Sequence, residues 1–286
     1  MAINIHFFRK NSLEKLDFTK VLEYFDTLPN FKTYYTNDIV EIVYSDIEFS
    51  FTYRYLITKQ SRVTKIYELN PMYTNVNFLL EMPVLIPSFL AKEILTLAQK
   101  ISKMFDLEIY QDSFEDVQVF NLVDVLVLYE QALGKEIENH GLQGKIKYDG
   151  EKLNIVCKYQ RYVDSLRDHY NNNVDVNYVV PVSDDDAGVS GMSYTWSFGH
   201  SAIFPPYVDY FYVECNDGQR MLLLRDDFFK IFNKYLTELK TFLPDLYILK
   251  DKQTRFINRE LKKIRKVDVI NEYNMRTLRL ADVIEV

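Results

Sequence analysis

The first half of the chain alternates between segments with a strand period and segments with a helical period. Phe51, Tyr53 and Tyr55 alternate with polar residues, which is typical of a strand with one buried face. Apolar residues that recur every three or four positions predict two long helices, at residues 87–105 and 122–137. Shorter patterns predict a helix at 18–25 and strands at 3–8, 39–43, 76–82 and 107–110.

The second half has shorter elements that are joined by turn residues. A hairpin is predicted over residues 146–159, because Asp149-Gly150 is a favoured two-residue turn and alternating apolar residues flank it. The run of small and acidic residues at 183–193 predicts a mobile surface loop. The remaining predicted elements are a helix at 162–170, a strand at 174–182, a hairpin at 208–224, a helix at 228–239 and a last helix over Ile257, Leu261 and Ile264.

These elements predict an α+β protein in which antiparallel or mixed sheets are faced by helices. The periodicity is interrupted around His140, Gly141 and Gly144, which predicts a boundary between two closely packed halves. The N-terminal half would span residues 1–143. The C-terminal half would span residues 144–286 and end in a basic helix. A single unit that includes the whole chain is the alternative.

The composition is that of a globular chain with a sizeable core. Of 286 residues, 48% are hydrophobic, and 22 Tyr, 20 Phe and one Trp make the chain rich in aromatic rings. The 34 Lys and Arg residues stand against 41 Asp and Glu, so the net charge is −7, which argues against general nucleic-acid binding. Residues 250–266 carry eight basic and two acidic side chains, a local charge of +6, which leaves −13 on the rest of the chain.

Cysteine usage and the N-terminal sequence predict a cytoplasmic protein. Cys157 and Cys215 each lie in an alternating apolar pattern, which is typical of reduced, partly buried thiols, with a disulfide between them as the alternative. The apolar run at the N-terminus is too short for a secretory signal peptide. No window approaches the about 18 uninterrupted apolar residues that a membrane span needs, so we expect no membrane association.

The sequence contains no complete motif of the known kinds for catalysis or cofactor binding. Lys147-Tyr148-Asp149-Gly150 matches the box that carries the nucleophilic lysine of nucleotidyl transferases, but the downstream boxes are missing. With 8 glycines, the chain has no phosphate-binding loop. The 4 histidines lack metal-ligand spacing, and Asp184-Asp185-Asp186 lacks the spacing of a calcium loop. We therefore expect no cofactor and no metal.

The best candidate site in the sequence lies at residues 193–210. Aromatic, His, Pro and Asp residues concentrate there beside the acidic run, as they do in binding grooves. Most Tyr and Phe residues of the chain fall on buried stripes, whereas Tyr194, Trp196 and Tyr207 do not, and we take these three as candidate binding residues. A loop folded back onto a sheet uses the same residue types and is the alternative.

Short segments in matching order resemble an uncharacterised family of bacterial proteins of similar length. In the second half these are Leu153-Asn154, Lys158-Tyr159-Gln160, Val180-Pro181, Trp196 and Pro206-Tyr207-Val208-Asp209-Tyr210. In the first half they are Asn77-Phe78, Pro83, Ala91-Lys92-Glu93 and Tyr110-Gln111-Asp112. The chain departs from the family at Val156 and Cys157, where the family has aromatic residues. The resemblance implies an α+β unit and carries no activity.

We expect a cytosolic, non-enzymatic protein that binds a basic protein partner, in the manner of toxin-neutralising proteins. The charge of −13 outside the basic helix and the abundance of tyrosine favour this function. One alternative is a hydrolase or transferase that uses the Trp196–Asp209 region, in which His200 is the general base and Asp209 or Glu214 orients it. A second alternative is nucleic-acid contact through the basic C-terminal helix. The sequence does not define the oligomeric state.

Overall fold

The structure is a computed structural model that describes residues 2–215, 218–260 and 274–285, without the side chain of Asn258. Within these residues, six α-helices and several antiparallel and mixed sheets account for 34% and 32% of the chain, which confirms the predicted α+β class. The chain divides into two compact units, Met1–Gly144 and Lys145–Val286. That the two halves are separate, closely packed domains stays a prediction.

The N-terminal unit is a six-stranded antiparallel sheet with three helices. Its strands are β1 (Ala2–Lys10), β2 (Phe31–Tyr35), β3 (Ile39–Asp46), β4 (Phe51–Thr58), β5 (Tyr73–Pro83) and β6 (Glu108–Tyr110). Its helices are α1 (Phe18–Asp26), α2 (Ser88–Met104) and α3 (Leu122–His140). The strand order is β2-β3-β4-β5-β1-β6. Every element predicted for the first half is present.

Both faces of this sheet are covered at β1. Phe7 stacks on Phe78 of β5 with ring centroids 4.9 Å apart, on the face that α1 packs against. Phe8 and Tyr110 lie on the opposite face, where side chains from the loops after β4 and β6 pack against them. Consecutive residues of a strand point to opposite faces, so β1 is buried on both sides.

Helix α3 is held at its two ends and at its centre. The Asn121 side chain accepts a hydrogen bond from the Val123 N–H at 3.1 Å and caps the N-terminus. The hydroxyl of the buried Tyr129 donates to the carbonyl of Ile86. At the C-terminus, Gly141 has a φ of +67° and its N–H bonds back to the last turn. These contacts fix which side of α3 faces the core.

The C-terminal unit combines three sheets with three helices within the described residues. Its strands are β7 (Ile146–Tyr148), β8 (Val180–Asp184), β9 (Val189–Ser197), β10 (Ala202–Phe204), β11 (Tyr210–Glu214), β12 (Arg220–Leu224), β13 (Leu236–Glu238), β14 (Tyr247–Leu249), β15 (Arg276–Thr277) and β16 (Val283–Glu285). Its helices are α4 (Gly150–His169), α5 (Arg225–Phe232) and α6 (Asp251–Ile257). The sheets have the orders β12-β11-β9-β8-β15, β10-β14-β13 and β16-β7. The largest is mixed, because β9 and β11 pair in parallel.

The hairpin predicted at residues 146–159 is wrong. Its first strand forms as β7, but α4 begins at Gly150 and continues through the helix predicted at 162–170, to His169. The Asp149 side chain accepts a hydrogen bond from the Lys152 N–H at 2.9 Å, so the Asp-Gly pair caps a helix and does not form a turn. Over so short a run, the apolar residues fit a helical stripe as well as a strand. The buried residues of α4 are Leu153, Val156, Cys157, Tyr159, Gln160, Val163 and Leu166.

The mobile loop predicted at residues 183–193 is also wrong, because most of this segment lies in β8 and β9. Asp184 is buried, with 5% of its surface exposed. Its Oδ1 atom accepts hydrogen bonds from the N–H groups of Asp186 and Ala187, each at 3.1 Å. Its Oδ2 atom accepts one from the Asn274 N–H at 2.7 Å. The first carboxylate of the acidic run therefore organises a tight β-hairpin.

Three other predicted elements differ in length or cannot be compared in full. The strand predicted at 174–182 begins at Val180, and the helix predicted at 228–239 ends at Phe232 and is followed by β13. The hairpin predicted at 208–224 is present as β11 and β12. Of the predicted last helix, Ile257 ends α6, whereas Leu261 and Ile264 lie outside the described residues. Cys157 and Cys215 are buried and are not joined by a disulfide.

Candidate functional site

Two of the three candidate binding residues lie in the core of the C-terminal unit. Tyr194 and Trp196 on β9 each expose 1% of their surface. The Tyr194 hydroxyl donates to the Ile203 carbonyl at 2.7 Å, and Trp196 Nε1 donates to the His200 carbonyl at 3.0 Å. The indole ring of Trp196 packs against the rings of Phe198, Phe204, Phe228 and Phe232. Neither Tyr194 nor Trp196 therefore offers a surface to a partner.

Tyr207, the third candidate, is half-buried and has an unusual backbone. Its φ is +53°, which few residues other than glycine adopt. Its N–H donates to Asp245 Oδ2 at 3.4 Å, and its carbonyl oxygen lies 2.8 Å from the hydroxyl of Tyr148. The surrounding polar groups thus hold Tyr207 in a left-handed conformation. No signal in the sequence predicts this geometry.

Asp209 is the centre of the polar cluster beside Tyr207. Its Oδ2 atom accepts a hydrogen bond from the Met192 N–H at 2.8 Å and lies 2.9 Å from the Tyr148 hydroxyl. Burial raises the pKa of Asp209 above its ordinary value of 3.8, although these hydrogen bonds oppose the shift. Burial, together with the Asp209 charge, also raises the pKa of Tyr148. The Tyr148 hydroxyl therefore keeps its proton at neutral pH and acts as a donor.

Gly191 lets the backbone of β9 approach the Asp209 carboxylate. A Cβ atom at this position would lie 2.7 Å from Asp209 Oδ2 and 2.9 Å from a ring carbon of Tyr210. The Arg225 N–H donates to the Asp209 carbonyl at 2.9 Å, and the Arg225 guanidinium forms an ion pair with Asp245. The side chain of Asp209 is thus engaged in anchoring the 205–209 segment to its neighbours.

His200, the candidate general base, has a different carboxylate partner from the expected ones. Its Nδ1 atom lies 3.5 Å from Asp175 Oδ2, and 62% of its side chain is exposed. Asp209 is engaged with Tyr148 and Met192, and Glu214 forms an ion pair with Arg220 at 3.7 Å. The structure therefore does not bring His200 together with Asp209 or Glu214.

The described end of the basic C-terminal segment forms hydrogen bonds and ion pairs with Lys234 and Tyr235. Glu260, which exposes 2% of its side chain, receives Lys234 Nζ at 2.9 Å and the Tyr235 hydroxyl at 2.6 Å. Arg259 Nε lies 3.5 Å from the same carboxylate and 3.1 Å from the Tyr235 hydroxyl. One of the basic residues, Arg259, therefore has a structural ion pair.

Metal and membrane sites are not indicated in the part of the chain that the structure covers. Among residues 2–215, 218–260 and 274–285, no group of three or more His, Cys, Asp and Glu side chains could hold a metal ion. None of the helices described there is both long enough and apolar enough to cross a membrane.

The outward side of α3 exposes apolar groups to solvent. Val123 and Val127 expose 66% and 45% of their surface, and Glu130, Gly134 and Glu138 are also exposed. Their spacing of four, three, four and four residues places all five on one face of the helix. We call Val123, Val127, Glu130, Gly134 and Glu138 the outer α3 face. Val119, just before the helix, exposes a further 71%.

Gly134 leaves the helix backbone bare in the middle of this face. A Cβ atom at Gly134 would meet no atom within 4 Å, so no neighbour in the described part of the chain requires glycine there. Glycine in a helix interior costs about 1 kcal/mol relative to alanine. The position thus carries a stability cost that packing inside the protein does not explain, and it allows another chain to approach the backbone closely.

The acidic excess of the protein is concentrated in the segment that includes α3. Residues 106–140 contain nine carboxylates and one lysine, a net charge of −8. The N-terminal unit has 13 basic and 20 acidic residues, and the C-terminal unit has 21 of each. The whole net charge of −7 therefore belongs to the N-terminal unit. Counting charge along the sequence locates this segment, but the exposure of the valines emerges only from the fold.

Comparison of the chain with protein-family models, with curated protein sequences and with solved structures found no significant match. The resemblance to a bacterial family seen in short segments of the sequence stays a prediction.

Proposed function

We propose that this protein is a cytosolic, non-enzymatic binding protein whose outer α3 face docks a basic, amphipathic helix of a partner protein. The observation that carries the proposal is the row of exposed valines and a bare glycine on a helix set in a segment of charge −8. Exposed apolar side chains with a polar rim are typical of protein-binding surfaces.

The apolar part of the face supplies affinity. The exposed fractions of Val123 and Val127 together amount to about one fully exposed valine side chain. Burying that surface against a partner contributes roughly 1.5–3 kcal/mol. The missing side chain at Gly134 lets a partner helix lie closer to α3, which improves packing along the whole row. The spacing of the row suits a helix better than an extended strand, because it follows the turns of α3.

The acidic part of the face selects the partner. Glu130 and Glu138 lie in the row itself and have neighbouring carboxylates in the same segment. A partner rich in Lys and Arg gains complementary charge and faster encounter, whereas like charge repels an acidic surface. The same carboxylates disfavour nucleic acid at this face, because phosphate groups carry negative charge.

The test compares variants of the outer α3 face with a matched control in the same unit. E130K/E138K reverses two exposed charges of the face, and V123S/V127S removes its apolar groups at similar helix propensity. E14K/E23K reverses two exposed carboxylates outside α3. Each protein is used at low salt to capture partners from a lysate of the source cell, and captured proteins are identified by mass spectrometry and then purified for affinity measurement.

We expect a basic protein to bind the wild type and the E14K/E23K control, and to bind both face variants at least tenfold more weakly. Binding should also weaken at high salt, because exposed charges are then screened. Capture of no basic protein, or equal binding by face variants and control, would overturn the proposal. Circular dichroism spectra of all variants check that α3 remains folded.

A further inference from the structure

The inner side of α3 lines a cavity within the N-terminal unit. Its volume is about 130 Å³. The sheet and α2 contribute Ile3, Ile5, Met82, Leu95 and Ile109, and α3 contributes Val125, Leu128, Tyr129 and Ala132. These residues lie on the side of α3 away from the outer α3 face, so the cavity and that face are separate features.

The size and the walls of the cavity suit a small apolar group. An engineered apolar cavity of about 150 Å³ stays dry and binds benzene, which sets the scale for an occupant of about six to eight non-hydrogen atoms. Ile5, Leu95 and Ile109 are fully buried side chains of the wall and offer no hydrogen bond to water. An aliphatic or aromatic tail is thus a better occupant of this space than a cluster of waters.

The rim of the cavity carries hydrogen-bond donors. Gln111, Ser113, Gln131 and Lys135 are its polar lining residues. The Gln111 side chain oxygen accepts a hydrogen bond from the Ser113 N–H at 2.8 Å, which leaves the Gln111 amide nitrogen to donate elsewhere. Within the described part of the chain, the Lys135 ammonium group has no ion pair and no hydrogen bond. The rim is therefore able to receive an acceptor group.

The one charged side chain among the described lining residues is a cation, Lys135, and it favours an anionic acceptor. Lys135 is the one Lys or Arg among residues 106–140, and it lines the cavity. None of the nine carboxylates of that segment is among the described residues that line the cavity. A cation inside the cavity would meet only Lys135, whereas a carboxylate would gain a charge-assisted hydrogen bond from it.

We propose that this cavity binds a small apolar carboxylic acid, with the tail between the sheet and α3 and the carboxylate at Lys135. The ligand class is an aliphatic or aromatic monocarboxylate of about six to eight non-hydrogen atoms. The apolar wall selects the tail, and Lys135 with the neighbouring amide groups of Gln111 and Gln131 selects the head.

The experiment titrates the full-length protein with hexanoate, hexan-1-ol and hexylamine and follows methyl resonances by NMR. Lys135→Met keeps the aliphatic stem and removes the charge. Lys92→Met removes an exposed lysine of α2 that is not among the lining residues, and it serves as the control. Both positions are exposed, so both variants should fold.

We expect saturable shifts from hexanoate at the methyl groups of Ile3, Ile5 and Leu128, with weaker binding of hexan-1-ol. Hexylamine should bind at least tenfold more weakly than hexanoate. K135M should weaken hexanoate binding at least fivefold, while K92M changes it less than twofold. Absence of saturable hexanoate binding, equal affinity for the amine, or an unchanged affinity in K135M would each overturn the proposal. None of these outcomes depends on a protein partner at the outer α3 face.

Discussion

Gly134→Ala should make the protein more stable. Gly134 lies inside α3 with a helical backbone and an exposed surface, and an added Cβ meets no atom within 4 Å. The substitution therefore changes helix propensity and the entropy of the unfolded chain but adds no steric clash. Propensity scales give about 1 kcal/mol for glycine to alanine in a helix interior, and compatible glycine replacements give about 0.4–1 kcal/mol. We expect a gain of about 0.5–1 kcal/mol.

The matched control is the same substitution at the end of the same helix. Gly141 has a φ of +67° and a ψ of −166°, a region that side chains other than that of glycine rarely adopt. Gly141→Ala should therefore cost about 1–3 kcal/mol. Urea unfolding followed by circular dichroism measures both changes. A neutral or destabilising G134A, or a stabilising G141A, would refute the assignment of these two glycines to the interior and the cap of α3.

Three further predictions concern the C-terminal unit. Burial raises the pKa of Asp209 above 3.8, so the contribution of this carboxyl group to stability is present below about pH 3.8 and is lost as the pH rises through its folded-state pKa. Asp209→Asn should therefore flatten the fall in the free energy of unfolding above about pH 3.8. Urea titrations from about pH 4 to 7 measure this effect. Gly191→Ala should cost about 1–3 kcal/mol in the same assay, because its Cβ would lie 2.7 Å from Asp209 Oδ2. Lys145→Met should cost about 1–3 kcal/mol at neutral pH, because it removes an ion pair of 2.7 Å with Asp282 in which both side chains are mostly buried.

The Lys145 prediction has its own pH signature. Burial raises the pKa of Asp282, but hydrogen bonds from Arg279 and Lys145 outweigh it and lower the pKa below 3.8. The contribution of this carboxylate is therefore present above pH 3.8 and lost on acidification through the folded-state pKa. The stability difference between the wild type and K145M should shrink in acid. If the stability of K145M depends on pH in the same way as that of the wild type, the pairing of Lys145 with Asp282 is contradicted. The same result for D209N contradicts the buried environment of Asp209. A G191A variant as stable as the wild type contradicts the close approach of β9 to Asp209.

The fold of the N-terminal unit is largely predictable from the sequence, and that of the C-terminal unit is less so. Helices α2 and α3 are long and strongly periodic, so their apolar stripes distinguish them from strands. Helix α4, which follows Asp149, is as long as α3, but Leu153 and Cys157 in its first half fit either period. Only the cap from Asp149 to the Lys152 N–H decides for a helix, and that contact depends on the backbone.

The candidate site is harder to predict because exposure depends on long-range packing. Tyr194 and Trp196 lie beside an acidic run and look like surface residues, yet aromatic rings of β10 and α5 cover their face of β9. Val123 and Val127 are apolar residues of a strongly apolar helix and are nevertheless exposed. A polar cap residue or a cluster of charges can be recognised in the sequence. Elements distant in sequence, however, determine which side of a helix remains exposed.

The single tryptophan gives the protein a built-in spectroscopic reporter of one half. Trp196 lies in the core of the C-terminal unit among phenylalanine rings, so its fluorescence follows the unfolding of that unit. Circular dichroism follows helices of both units, including α3. If G134A moves the circular dichroism transition and leaves the tryptophan transition unchanged, the two units unfold independently. If both transitions move together, the chain unfolds as one cooperative block.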